Sequence, residues 1–171
     1  YISTEMEGYV GNILVIYDLA DPSHPVEVSR WHMPGQHLVA GETPTWSGYK
    51  NRLHHALRVG DEMWAAVWYA GFQVIDVKDI KNPKTLVAHN YHPPFPEPTH
   101  TALPCEQLIN GRRIAVVVDE EHGKFSTRLG VQVKVVRVHG EPRHRRLKQD
   151  LSKESVSHLF AFTISGFWGF G

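Results

Sequence analysis

Val15-Ile16-Tyr17-Asp18-Leu19-Ala20-Asp21-Pro22-Ser23-His24-Pro25 returns 58 positions later as Gln73-Val74-Ile75-Asp76-Val77-Lys78-Asp79-Ile80-Lys81-Asn82-Pro83. In each copy, β-branched and apolar residues run into an aspartate, Asp18 or Asp76, and a polar turn then closes on a proline. A second alternating run follows, Val26–Trp31 in the first copy and Thr85–His89 in the second. Each copy therefore predicts strand, turn, strand. Recurrence of Asp18 and Asp76 at matching positions predicts that their carboxylates cap the turn by accepting backbone N–H bonds. An acid–base pair would have to converge, which matching positions in neighbouring units do not do.

Working outward, Leu53-His54-His55-Ala56-Leu57 matches Thr99-His100-Thr101-Ala102-Leu103 at an offset of 46 residues. Both lead through a turn, Gly60-Asp61 or Asn110-Gly111, into a strongly apolar run, Met63–Tyr69 or Ile114–Val118. One unit then reads as four strands: His54–Val59, Met63–Tyr69, Phe72–Val77 and Thr85–Tyr91. A four-stranded antiparallel unit repeating at this spacing is the sequence pattern of a β-propeller blade. The predicted fold is all-β, a partial β-propeller over residues 1–123, with blade boundaries near Gly41–Lys50 and Pro93–Pro98.

Gly71-Phe72-Gln73-Val74-Ile75-Asp76-Val77, running on to Asn82-Pro83, resembles the LVIVD-repeat β-propellers. Their blades carry a glycine, a hydrophobic-x-Val-hydrophobic-Asp-Val run, a short polar turn and a proline. Asn12–Leu19 is a looser copy with Asn12 beside the first apolar residue, and the resemblance covers roughly residues 1–122. It implies an architecture and no single reaction, because a fold does not fix function.

Composition is that of an ordinary folded chain: 171 residues, 42% hydrophobic and 21% charged. A closed ring of four to eight blades of about 45 residues needs roughly 180 to 360 residues, so this chain is expected to be part of a longer ring or of one assembled from several copies. Tyr1–Met6 already alternates as a blade's second strand would. No stretch approaches the ~20 apolar residues of a membrane span, and no export segment is legible. The compartment is left open, export with its leader removed included. The single Cys105 excludes an intrachain disulfide framework and reads as a small core filler.

Net charge is zero by cancellation: residues 1–123 carry 15 acidic and 9 basic side chains, residues 124–171 carry 3 and 9. The repeat also fades there. Val131–Val138 alternates and fits a third strand, with Gly140-Glu141-Pro142 as its turn, but the aspartate is missing. Arg143–Lys148 reads as a solvated basic tail, and residues 143–171 as irregular. They are either a C-terminal extension or a segment read in a shifted frame. No aromatic interleaving or nucleic-acid module accompanies the basic run, so no specific nucleic-acid partner is expected.

Twelve histidines are several times the usual share. His54, His100 and His122 sit near the ends of strands expected to border the ring axis, where imidazoles from successive blades would suit Zn, Cu or Fe, with Glu120 or Glu121 completing the shell. Alternation sends His55 to the opposite face, into packing between blades. Two long linkers, Met33–Asn51 and Pro93–Pro98, should lie on one face of the disc, and Trp46 and Tyr49 in the first are candidates to line a ligand groove. Phosphate loops, the G-x-S-x-G elbow, H-E-x-x-H and C-x-x-C are absent. The leading expectation is a scaffold that holds a protein or small-molecule ligand on its loop-bearing face. The alternative is a metal-dependent enzyme, an oxidoreductase or lyase, with histidines lining the channel.

Overall fold

The computed structural model describes residues 1–46, 51–92, 97–120, 132–138 and 160–163. Tyr49, Glu121 and His122 lie outside them. The described residues form three small antiparallel sheets and no α-helix. The first contains β1 (Ile2–Thr4), β2 (Ile13–Asp18) and β3 (Val26–Trp31). In the second, β4 (His55–Val59), β5 (Glu62–Ala66), β6 (Phe72–Asp76) and β7 (Lys84–His89) pair in chain order. The third orders β8 (Thr99–Pro104), β9 (Ile114–Asp119), β10 (Gln132–Arg137) and β11 (Phe160–Thr163). β10 lies within the alternating run Val131–Val138 expected as a third strand, and Phe160–Thr163 corrects the expected irregular stretch by adding a strand where the sequence shows no period.

The 58-residue repeat is carried by hydrogen bonds as well as by side-chain type. Asp18 Oδ1 accepts the Ala20 N–H at 2.9 Å, and Asp76 Oδ1 accepts the Lys78 N–H at 3.0 Å. Asp21 and Asp79 then accept from Ser23 and Lys81, and hold His24 Nδ1 and Asn82 Nδ2 at 2.9 and 2.7 Å. Both aspartates of each turn thus consolidate it. The strand irregularity repeats too. Register slips between Ile16 and Tyr17 against β3, and between Val74 and Ile75 against β7, at the same place in both copies. Tight turns follow their residues: Asn110 and Gly111 both have positive φ, 51° and 70°, the pattern of a two-residue type I′ turn.

Side-chain alternation gives the middle sheet two buried faces. Met63, Ala65 and Val67, with Ile75 and Val77, pack on Leu14, Ile16 and Trp31 of the first sheet. Trp64, Phe72 and Val74 point the other way, onto Ala102, Ala115, Val117 and Val136 of the third. Polar contacts pin both interfaces. Trp31 Nε1 donates to Thr85 Oγ1 at 3.0 Å, and Ser29 Oγ to the Ile80 carbonyl at 2.6 Å. Between the second and third sheets, the Arg113 guanidinium donates to the largely buried Glu62, which also accepts Trp64 Nε1 at 3.3 Å. The entry strands come together at these junctions, β4 and β5 against β8 and β1 against β4.

Gly71, first residue of the recurring motif, has φ +74°, and a Cβ there would stand 2.1 Å from the His89 carbonyl oxygen. Gly41 has a similar φ, +83°, with nothing within 4 Å. Gly41→Ala is therefore expected to cost about 1 kcal/mol for conformation alone, and Gly71→Ala at least about 3 kcal/mol, since backbone must also move. Urea unfolding midpoints of the two variants measure the difference; equal losses would show that β6 and β7 can part freely at this point.

Candidate functional site

Three imidazoles meet where β4 and β8 begin. His54 precedes β4, donating its backbone N–H to the Ala66 carbonyl at 2.8 Å, and His55 opens the strand. His100 comes from β8, where Thr99 pairs with Asp119 and Thr101 with Val118, so that His100 is the unpaired residue of a bulge. A bulge re-aims its side chain, and this one brings the His100 ring to 4.2 Å from His54 and 5.3 Å from His55, centroid to centroid. One nitrogen of each ring lies within 4.8 Å of the others.

Sequence reasoning set His54 and His100 side by side, and so they stand. His55 is corrected. Its ring faces the cluster, with Nδ1 2.7 Å from His54 Nδ1, because strand alternation starts only at residue 55 and does not relate it to His54. The His-His dipeptide was the available signal. Thr101, the repeat counterpart of His55, is the other residue the sequence did not mark. Its hydroxyl is 2.6 Å from His100 Nδ1 and 3.3 Å from His55 Nε2. Glu120 follows β9, anchored by its N–H to the Pro98 carbonyl at 2.8 Å, and brings Oε2 to 3.5 Å from His54 Nε2. Trp46 packs half-buried on the first core, its ring over Gly35.

A buried strut backs the cluster. The Tyr91 hydroxyl lies 2.5 Å from both Thr99 Oγ1 and Asp119 Oδ1, so the residues flanking His100 and Glu120 are tied together. Burial, reinforced by the Asp119 carboxylate, raises the Tyr91 phenol far above its usual range and keeps it a neutral donor. His55 moves in the opposite sense. Desolvation first, then the charges that His54 and His100 would carry, push it below the ordinary histidine value of 6.5, and Glu120 opposes them only in part.

Three imidazoles without an acidic member of the cluster form a neutral nitrogen donor set suited to Zn, Cu or Fe(II). Nitrogens around one tetrahedral ion with bonds of 2.0–2.1 Å are about 3.3 Å apart, so small ring rotations bring the three rings into range. No family model, curated protein or solved structure matches this chain. Among the described residues no helix is long and apolar enough to cross a membrane.

The His55 shift has a pH consequence. Its folded form resists protonation, so the unfolded chain takes up the proton first and stability falls as pH drops below about 6.5. Urea midpoints measured without metal at pH 7.5 and 5.5 should show this loss, and His55→Gln should reduce it. An unchanged pH slope in that variant would remove His55 as its source.

Proposed function

We propose that the three sheets are blades of a β-propeller and that the chain binds one transition-metal ion at its centre, through His54, His55 and His100. The blade reading is supported by face-to-face stacking in chain order, with β4 and β8, the first strands of the second and third sheets, each lying against the sheet before it. The observation that carries the metal reading is convergence of one nitrogen from each of three histidines, drawn from two successive sheets, within 4.8 Å. Such a set occupies three positions of a tetrahedral ion and leaves a fourth for water or substrate, the arrangement of catalytic sites. The class of function is metal-dependent chemistry at the mouth of the ring, an oxidoreductase or lyase.

The scaffold reading has weaker support. The cleft between β3 and the turn at Pro83 is lined by Arg30, His32 and Glu42, but these charges are already engaged. Arg30 is paired with Glu27, and Glu42 accepts the Gly35 and His37 N–H groups.

Metal analysis after equilibration with Zn(II) is expected to give one ion per chain. His54→Ala, His55→Ala and His100→Ala should each remove it while the far-ultraviolet circular dichroism stays unchanged. Unaltered stoichiometry in the triple variant would overturn the assignment. Ligand nitrogens must be deprotonated, so affinity should also fall below about pH 6.5.

A further inference from the structure

We infer that Thr101 and Glu120 are positioning residues of this centre, selecting which nitrogen each histidine presents: Nδ1 of His54, Nδ1 of His55 and Nε2 of His100. The inference rests on the metal reading above and goes beyond it, since three histidines could ligate through either nitrogen.

Each ring turns one nitrogen outward, two of them within hydrogen-bond reach of Thr101 and the third facing Glu120. His100 Nδ1 is 2.6 Å from the Thr101 hydroxyl, which leaves Nε2 with the free lone pair. His54 Nε2 faces Glu120 Oε2 at 3.5 Å, which leaves Nδ1. His55 Nε2 is 3.3 Å from the same Thr101 oxygen, which again leaves Nδ1. The two remaining δ nitrogens already face each other at 2.7 Å, and Glu120 stands outside the nitrogen cluster.

The proton count is consistent. A hydroxyl oxygen has two acceptor lone pairs, so Thr101 can take N–H bonds from both His55 and His100. Without metal, the 2.7 Å contact between His54 and His55 needs one proton on a δ nitrogen. With metal, that proton moves to the ε nitrogen of the same ring, where Glu120 or Thr101 accepts it, and both δ lone pairs turn to the ion. A carboxylate on the far nitrogen of a ligating histidine also raises its basicity. Thr101 and His55 occupy matching positions in the repeat, so one blade supplies the ligand and the next supplies the hydroxyl that orients it.

Zn(II) affinity, measured by competition with a chromophoric chelator on the whole chain, tests the inference. Thr101→Val and Glu120→Gln should each raise Kd roughly 10- to 100-fold, with Thr101→Ser restoring most of the loss. Two-bond ¹H–¹⁵N spectra of the Zn-loaded protein should show Nδ1 ligation for His54 and His55 and Nε2 ligation for His100. Loss of binding in the histidine variants, with Kd unchanged in Thr101→Val and Glu120→Gln, overturns this inference and leaves the metal centre standing. So does any other nitrogen assignment in the spectra. Binding that survives in the histidine variants overturns the centre itself. Should Thr101→Val or Glu120→Gln unfold, the spectra of the unaltered protein still decide.

Discussion

A sheet of four short strands has two faces, and β5 and β6 in the middle sheet are apolar on both. Met63, Ala65 and Ile75 on one side and Trp64, Phe72 and Val74 on the other are all fully buried. A single layer cannot hide both sets from water, and each large side chain left exposed would forgo about 1.5–3 kcal/mol. The sheets must therefore stack, first on second and second on third, as the two separate core clusters record. Everything else about the molecule is arranged around that requirement.

Stacking also creates the site. The three histidines come from the start of β4 and from β8, and they meet only because adjacent sheets press these strands together. The bulge at His100 and the strut from Tyr91 to Thr99 and Asp119 then fix where the third ring stands. His55 is partly desolvated in this setting, which disfavours its protonated form and favours the neutral imidazole. The same packing that stabilises the fold thus keeps this one imidazole neutral.

A partly satisfied polar cluster is a cost unless something completes it. The short contact between two δ nitrogens is a costly arrangement for a protein designed only to be stable. Its placement at the start of two strands is where binding function collects on rigid scaffolds. A divalent ion would convert three competing imidazoles into cooperating ligands.

Sequence alone determined the periodic parts. Strands, turn aspartates and the adjacency of His54 and His100 were legible because the repeat of 58 residues, and the offset of 46 between histidine motifs, fix local chemistry that depends on near neighbours in the chain. Tertiary structure decided the rest. The orientation of His55, the role open to Thr101 and the approach of Glu120 depend on where alternation begins, on one bulged residue and on how two sheets meet. The strand at Phe160–Thr163 likewise forms by pairing with β10, a partner its own sequence does not announce. These are contacts between residues far apart in sequence, set by the stacking of whole sheets, and no local pattern encodes them.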